Sequence, residues 1–401
     1  MLTAAEARAR ILAPLTPTPP ETVAISAACG RVTAAPLRAR LTQPPCDVSA
    51  MDGYALRAAE AVPGARLRVA GEAPAGHPWA GTLAPGEALR IFTGSVIPAG
   101  ADAVLIQEEA TRAGEEVTVD AAVSAGKWIR RAGQDFSAGD EILPAGRRLT
   151  PRDIGLLAAA NHPWVAVHRR PRVAILATGD EIALPGEPLP AGGIVSSNSQ
   201  ALAALVAACG GEPVVLPIAA DTRSALISAA SGARGADMLV TTGGASVGDY
   251  DLVQSALGES GLVVDFWKIA MRPGKPLIYG RLHEVPLLGL PGNPVAALVC
   301  GILFLRPALA LLSGLPDPDL PTARAVLGAP LAANDWRADH LRTRLVRDPA
   351  GRLVATPFAR QDSGMLRGLA AADGLILRAP EAPALPAGAE VEVIRFAELG
   401  L

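Results

Sequence analysis

Residues 172 to 315 show an alternation of apolar and polar segments that the rest of the chain lacks. Short apolar runs bounded by glycine or charged residues, such as RVAILATGDE, EPVVLPIAAD and ADMLVTTGG, predict buried strands. Between them, NSQALAALVAACGG and DTRSALISAASGARG have the spacing and the end signals of helices. Strands that alternate with helices predict an α/β unit with a mainly parallel sheet.

Polar loops rich in glycine or proline follow three of the apolar runs in this unit. Ligands bind beyond the carboxyl ends of parallel strands, so we expect the loops to meet at one edge of the sheet and to form the site. The loops are Thr178-Gly179-Asp180-Glu181, Thr241 to Asp251, and Gly289 to Pro294.

The flanking segments have a different pattern. Residues 1–42 and 138–168 indicate helices, whereas residues 43–137 are dominated by short strands and turns, which predicts a β-rich domain inserted into a helical one. Residues 169–318 hold the α/β unit. In residues 319–401, VRDPAGRLVATP predicts a hairpin and AEVEVIRF an alternating strand, so a small β-domain completes the chain.

Composition excludes several classes of function. With 401 residues, half of them hydrophobic, the chain can form several cores, and its net charge of −3 provides no field that attracts nucleic acid or a membrane surface. The apolar run PVAALVCGILFLRPALALL is interrupted by Arg306-Pro307 and predicts a buried helix. An amphipathic start without a signal peptide and four cysteines without a CxxC pair indicate a reduced cytosolic setting and no zinc or iron–sulfur site.

Lysine is rare, since only three of the 36 basic residues are lysine. Two of them, Lys268 and Lys275, lie close together in FWKIAMRPGKPL. Chance explains this spacing, but so does a need for a compact ammonium at an oxyanion contact, where a planar guanidinium does not substitute. Together with Arg272, these lysines are candidate ligands for an oxyanion or a phosphate.

The glycine-rich loop TTGGASVGDYD has two interpretations. Glycines after a strand allow backbone N–H groups to face an anion, but they also suit a plain turn. The loop lacks the GK[ST] and GxGxxG signatures of nucleotide loops. Asp249 or Asp251 can cap the next helix, and capping uses only one of them. The candidate anion contacts are Thr242, Gly243, Gly244, Ser246 and Gly248.

Carboxylates also gather at this predicted edge. They are Asp180 and Glu181 after the first strand, Asp221 before a helix, and the aspartates of the glycine-rich loop. Such acids near an anion need a hard cation to offset the repulsion, so we expect Mg²⁺ to bridge them to the anion. Asp221 is equally explained as a helix cap, and TGDE alone is too short and common to indicate a site. Pro291-Gly292-Asn293-Pro294 stiffens a loop before a helix whose N-terminus can favour an anion.

Three motifs of the insert carry further candidates, although each alone suits a turn. Asp52 lies in SAMDGYAL, Thr93 in FTGS, and Asp135 in GQDF. Their spacing does not connect them to the edge of the α/β unit.

Taken in order, MDGYA, FTGSVIPAGADAV, GQDF, ATGDE, SSNS, TTGGASVGDYD, WKIAMRPGKP, LPGNPV and QDSGMLRGLAAADGLI resemble the molybdopterin molybdenumtransferase (MoeA) family of molybdenum cofactor biosynthesis. The resemblance covers essentially the whole chain. It implies a helical dimerisation domain, an inserted β-domain, an α/β molybdopterin-binding domain shared with molybdopterin adenylyltransferases, and a C-terminal β-barrel. The sequence departs from the family at Arg272, often a lysine, and at Gln134, often a glutamate.

The resemblance also implies a reaction. Adenylylated molybdopterin and molybdate react with the help of Mg²⁺, AMP leaves, and molybdenum remains on the pterin dithiolene. The implied setting is cytoplasmic, in a homodimer whose cleft lies between the α/β domain of one subunit and the insert of the other. The substrate would come from the adenylyltransferase, and the product would go to proteins that mature molybdoenzymes. An adenylyltransferase, or a molybdopterin carrier or scaffold without turnover, are the alternatives.

By motif match, the resemblance assigns functional residues in two groups. The catalytic group is Asp52, Thr93, Asp135, Glu181, Asp221 and Asp251, and the last three are also the implied ligands of Mg²⁺. The group that binds substrate or anion is Thr178, Gly179, Asp180, Ser199, Thr242, Gly243, Gly244, Ser246, Gly248, Lys268, Arg272, Lys275, Pro291, Gly292, Asn293 and Pro294.

Overall fold

The computed structural model of the protein describes residues 1–243 and 256–401. The chain begins with helix α1 (Ala4–Leu12), followed by strands β1 (Pro20–Ala24) and β2 (Leu37–Arg38). Thr3 and Glu6 form a capping box that satisfies free N–H groups at the start of α1. Pro14 and three further prolines up to residue 20 prevent the helix from continuing. The helical prediction for residues 1–42 therefore holds only for α1.

The insert is a β-domain, as predicted. Its main sheet has six strands in the order β7-β4-β6-β5-β9-β8. The strands of the insert are β3 (Val48–Ser49), β4 (Gly53–Leu56), β5 (Arg66–Ala73), β6 (Glu87–Ile91), β7 (Ala103–Ile106), β8 (Ala110–Ala113), β9 (Glu116–Val119) and β10 (Ile129–Arg130).

After the insert the chain returns to its first strands through β11 (Glu141–Leu143), α2 (Pro151–Ala159) and β12 (Trp164–His168). β12 pairs antiparallel with β1, and β11 pairs antiparallel with β2. The two flanks of the insert therefore form one unit. Within 138–168, α2 is the single α-helix, and the rest of that segment forms strands and turns. Where the chain enters and leaves the insert, β3 and β10 also pair, which makes a narrow two-stranded neck.

The α/β domain has a six-stranded sheet in the order β16-β13-β17-β21-β20-β18. The first four strands are mutually parallel and the last two are antiparallel, which confirms the mainly parallel sheet. Its elements are β13 (Arg172–Ala177), β14 (Ile182–Ala183), β15 (Ile194–Val195), α3 (Ser197–Ala208), β16 (Glu212–Val215), α4 (Arg223–Ser231), β17 (Met238–Thr242), β18 (Leu262–Lys268), β19 (Met271–Arg272), β20 (Pro276–Leu282), β21 (Val285–Leu290) and α5 (Pro294–Leu312).

Helix α5 is the apolar helix of the core. Within the described ranges it alone has the length and hydropathy to cross a membrane, but 83% of its most apolar 18-residue stretch is buried inside the protein, as the sequence predicted. Its residues Val299, Phe304 and Leu309 share one core with Ile11 of α1. The first helix of the chain thus packs on the α/β domain.

The C-terminal domain is a closed barrel. Five strands follow one another as β23-β24-β22-β26-β25, and β25 pairs back with β23. The predicted hairpin joins β23 and β24. The elements are β22 (Thr322–Leu327), β23 (Ala338–Arg347), β24 (Leu353–Pro357), α6 (Leu366–Ala370), β25 (Gly374–Arg378), β26 (Glu390–Arg395) and α7 (Phe396–Leu399).

One buried histidine of β23 makes the stability of the protein depend on pH. Burial lowers the pKa of His340 to about 4. The unfolded chain therefore binds this proton from about pH 6.5 downwards, whereas the folded chain binds it only near pH 4. We expect the free energy of unfolding to fall by about 3 kcal/mol in total as the pH decreases from about 6.5 to 4.

Denaturant unfolding at several pH values tests this expectation. The variant His340→Asn should lose this part of the pH dependence, whereas His77→Asn, at an exposed histidine, should keep it. An unchanged slope in His340→Asn would contradict the assignment.

Candidate functional site

The described ends of β13, β17 and β21 meet at one edge of the sheet, as the alternation of strands and helices predicted. The N–H of Thr178 donates to the carbonyl of Thr242 at 3.2 Å. Gly243 has a φ of +91°, and a Cβ there would lie 2.5 Å from the carbonyl oxygen of Thr178, so only glycine fits. Gly292 lies against the same glycine, where its Cβ position is 3.5 Å from the Cα of Gly243.

These loops enclose a cleft of about 840 Å³. Glu181 from the loop after β13 lines the cleft, and so do Lys268 and Lys275 from the connection between β18 and β20. Residues Gly364 and Leu366 of the C-terminal domain complete the lining. The predicted site residues that line the cleft are Glu181, Thr242, Gly243, Lys268, Lys275, Pro291, Gly292, Asn293 and Pro294.

Asn198 is a cleft residue that sequence reasoning missed. Its Nδ2 donates to the hydroxyl of Thr242 at 2.8 Å and to the carbonyl of Gly292 at 2.7 Å, so it ties two of the three loops together. The predicted contact Ser199 is instead buried, and its hydroxyl bonds with that of Ser196 at 2.6 Å. The signal in the sequence is an asparagine in the first turn of α3, where this residue type ordinarily serves as a helix cap.

The acidic side of the site is formed by the loop after β13. Gly179 has a φ of +140°, and a Cβ there would lie 2.6 Å from Glu181 Oε2, so this glycine makes room for the carboxylate. The Oδ1 atom of Asp180 accepts the N–H of Asp221 at 2.9 Å, which joins the loop to the segment before α4. Asp180 therefore stabilises the loop at this edge of the sheet, and the exposed Glu181 lines the cleft.

Part of the predicted site lies outside the described residues. The residues outside the described ranges include Gly244, Ser246, Gly248, Asp249 and Asp251. The roles predicted for them stay predictions. Within residues 1–243 and 256–401, no group of three or more acids, histidines or cysteines is close enough to hold a metal ion. The Mg²⁺ ligand set also stays a prediction.

The basic side of the site is formed by the connection between β18 and β20. Lys268 Nζ lies 3.3 Å from the ring centroid of Trp267, a cation–π contact at the wall of the cleft. Lys275 Nζ lies 5.9 Å from the ring centroid of Trp336, which belongs to the C-terminal domain. In the described part of the chain neither lysine forms an ion pair with a carboxylate, so both ammonium groups can bind an anion.

Arg272 faces the barrel instead of the cleft. Its Nε donates to Asp339 Oδ1 at 2.7 Å and its Nη2 donates to Asp339 Oδ2, while Nη1 lies 3.6 Å from Asp335 Oδ2. The bonds to Asp339 raise the pKa of Arg272. Bonds from Arg337, with the charge of Arg272 as a smaller cause, lower the pKa of Asp335 to about 2. The predicted role of Arg272 as an anion ligand stays a prediction.

The insert presents a second polar group. Asp52 Oδ1 accepts the N–H of Thr93 at 2.7 Å and its hydroxyl at 2.9 Å, and these bonds lower the pKa of Asp52. Gly53 is required, because a Cβ there would lie 2.0 Å from the carbonyl oxygen of Leu105. Asp135 is exposed near the neck of the insert. In the described ranges, Asp52, Thr93 and Asp135 do not line the cleft of their own chain.

Comparison with known families assigns the fold and the cleft to a class. Residues 174–311 match a family described as a probable molybdopterin binding domain, which defines the α/β domain with its cleft as a domain of that class. Residues 2–161 match the MoeA N-terminal region (domain I and II), and residues 324–396 match the MoeA C-terminal region (domain IV). The chain belongs to the MoeA family.

Individual relatives support this membership. The chain is 38% identical over 387 residues to molybdopterin molybdenumtransferase 2 of Mycobacterium tuberculosis, which covers 93% of this chain and 94% of the relative. It is 42% identical over 304 residues to molybdopterin molybdenumtransferase of Nostoc, which covers 74% and 70%. A crystal structure of the molybdopterin biosynthesis MoeA protein from Pyrococcus horikoshii has a TM-score of 0.86 at 31% identity and covers 99% of both chains. The predicted family and the four-part architecture are confirmed.

Proposed function

We propose that this chain is a molybdopterin molybdenumtransferase, which inserts molybdenum from molybdate into adenylylated molybdopterin with release of AMP. The observation that carries the proposal is one cleft lined by a carboxylate, Glu181, from the loop after β13 and by two ammonium groups, Lys268 and Lys275, from the connection between β18 and β20. Relatives with this name are similar over up to 94% of the chain. The two ammonium groups can bind an anionic substrate and an oxyanion, and the carboxylate can bind a cation.

The chemistry needs no nucleophilic side chain. The lysines bind the phosphates and the oxyanion and offset their charge. The N-terminus of α5 adds the positive end of a 19-residue helix, and its N-cap Asn293 and first residue Pro294 line the cleft. Asn198 fixes the distance between the loops that carry Thr242 and Gly292. Positioning and charge neutralisation thus account for the catalysis.

Mg²⁺ is part of the proposal. Glu181 and Asp221, with Asp251 from outside the described residues, would hold the ion, and such an oxygen-only set of carboxylates suits a hard cation. Glu181 fits this role because its carboxylate is exposed to the cleft. When bound, the ion would neutralise charge on the phosphates.

The experiment that tests the function mixes purified protein with adenylylated molybdopterin, Mg²⁺ and molybdate, and follows AMP by chromatography. We expect AMP to appear only when molybdate is present. Binding of the substrate without AMP release would favour a carrier or scaffold. Formation of adenylylated molybdopterin from molybdopterin and ATP would favour an adenylyltransferase.

We further propose that the protein is a cytoplasmic homodimer whose cleft is completed by the partner's insert. The support is that Asp52 and Thr93 form an ordered polar group that does not line the cleft of the same chain in the described ranges. The substrate would come from a molybdopterin adenylyltransferase, and the product would pass to proteins that mature molybdoenzymes.

Mixed dimers test the shared cleft. One chain carries Asp52→Ala and the other carries Glu181→Ala, so a shared arrangement leaves one intact cleft and one that lacks both acids. We expect about half of the AMP release of the unaltered dimer, because one of the two symmetric sites remains complete. Either homodimer should be inactive. An inactive mixed dimer would show that each chain uses its own Asp52.

A further inference from the structure

The two cleft lysines belong to one tight loop. The stem of the loop starts where Lys268 pairs with Pro276 across β18 and β20. It is closed by the N–H of Ile269, which donates to the carbonyl of Lys275 at 3.0 Å. Lys268 and Lys275 therefore flank the stem on the side of the cleft, and Arg272 lies at the tip.

We call residues 268–275 the lysine loop. The backbone at the tip of this loop pairs with the barrel. Its strand β19 runs parallel to the start of β23, with Arg272 opposite Asp339. The N–H of Ala338 donates to the carbonyl of Ala270 at 2.9 Å. The C-terminal domain thus extends its own sheet with a strand from the α/β domain.

Side chains of the barrel reinforce this attachment. The carboxylate of Asp339, only 5% exposed, binds the guanidinium of Arg272 through both oxygens, the strongest geometry for such a pair. Asp335 adds a second negative charge 3.6 Å away, and the neighbouring Trp336 lies beside Lys275. One short barrel segment, residues 335–339, therefore contacts both the tip and the stem of the lysine loop.

The barrel also contacts the other side of the cleft. The N–H of Val295, in the first turn of α5, donates to the carbonyl of Ser363 at 3.1 Å, and the next residue, Gly364, lines the cleft. Docking of the barrel and the shape of the cleft are therefore coupled at two places.

We propose that Asp339, assisted by Asp335, is a positioning residue for catalysis: it clamps Arg272 to the barrel and thereby holds Lys268 and Lys275 where they bind the anion. Arg272 then acts through its partners in the barrel and does not touch the anion itself. The inference rests on the proposed function in one respect, since it takes molybdate as the anion of the cleft.

The charge of Arg272 allows two roles to be distinguished: direct binding of the anion by Arg272, or attachment of the lysine loop to the barrel through Asp339. Asp339→Asn keeps the size of the side chain but removes the charge that holds the guanidinium. If Arg272 binds the anion directly, this variant frees a cation near the cleft, and the affinity for molybdate stays the same or increases. If Asp339 is a clamp, the lysine loop moves, and the affinity decreases.

Calorimetric titration of the purified full-length protein with sodium molybdate decides between anion binding by Arg272 and a clamp by Asp339. We expect Asp339→Asn to raise the Kd for molybdate by about 10- to 100-fold, because small misplacements of binding groups have effects of this size. Arg272→Lys, which keeps the charge but loses the two-pronged contact, should also weaken binding. Glu390→Gln is the matched control, since it removes the exposed Arg324–Glu390 pair of the same barrel and should change nothing. Unchanged or tighter binding in Asp339→Asn would overturn the proposal.

Hydrogen exchange separates the clamp from the proposed function. In Asp339→Asn the amides of Ile269 and Ala338 should exchange faster than in the unaltered protein, while Glu390→Gln keeps their protection. Unchanged protection in Asp339→Asn would refute the clamp. If the unaltered protein binds no molybdate and releases no AMP, the proposed function fails, and the exchange of these amides still decides the clamp.

Discussion

Glu181→Ala should lower molybdate-dependent AMP release by about 1000-fold, the size of effect expected if this carboxylate is one of the ligands of the proposed Mg²⁺. The carboxylate of Glu181 is exposed to the cleft, so its removal leaves no buried group unsatisfied and the fold should persist. The effect of the substitution is measured as the rate of AMP release at saturating substrate and at several Mg²⁺ concentrations. Raising the Mg²⁺ concentration should restore part of the activity if the variant binds the ion more weakly.

A second glutamate of the same chain segment provides the control. Glu187 is exposed and accepts the N–H of Leu184 at 2.9 Å, away from the lining of the cleft. Glu187→Ala should retain nearly full activity. If Glu181→Ala were as active as this control, the acidic wall of the cleft would have no part in the reaction.

Lys275→Met should lower kcat/KM by about 100-fold, which corresponds to roughly 3 kcal/mol for a charged contact with a bound anion. Methionine keeps most of the length of the side chain and removes only the charge. The loss should be accompanied by a smaller dependence of KM on salt, because one charge fewer attracts the substrate. Steady-state kinetics at two ionic strengths provides both values.

The third lysine of the chain is the natural control for this substitution. Lys127 contacts the ring of Trp128 in the insert, with Nζ 4.5 Å from the ring centroid, and does not line the cleft of its own chain in the described ranges. Lys127→Met should leave both kcat/KM and its salt dependence unchanged. Equal losses in the two variants would mean that net charge, and not the position of Lys275, determines the affinity.

The convergence of the cleft loops was predictable because the geometry of parallel sheets determines it. Once RVAILA and DMLV are identified as neighbouring strands, the loops that carry Glu181 and Gly243 must leave the sheet at the same edge. The burial of α5 was predictable from the interruption of its apolar run by Arg306-Pro307, although the helix continues through these residues and reaches a membrane-spanning length.

Contacts between distant segments were not predictable. Arg272 and Asp339 are 67 residues apart, and nothing in MRPGKP indicates that a carboxylate of another domain is opposite the arginine. The helical prediction for the flanks held only for α1 and α2 for the same reason. β1 and β12 pair from opposite sides of the insert, and a strand that depends on such a distant partner carries only a weak local signal.

The amide of Asn198 shows a further limit. Its donors reach Thr242 and Gly292, 44 and 94 residues away in the sequence. An asparagine in the first turn of a helix has an ordinary explanation as a cap, so the sequence alone offers no reason to look for a second role. Only the fold shows that the first turn of α3 lies between two loop ends.

The narrow neck of the insert has a consequence for the history of the protein. Residues 43–137 are joined to the remainder by two chain crossings that are adjacent in space, where β3 pairs with β10. A segment connected in this way can be exchanged between relatives as a cassette, because its ends already meet without the rest of the molecule. The part of the protein that would face a partner subunit could therefore diverge at its own rate, while the core around α5 stays under the constraints of packing.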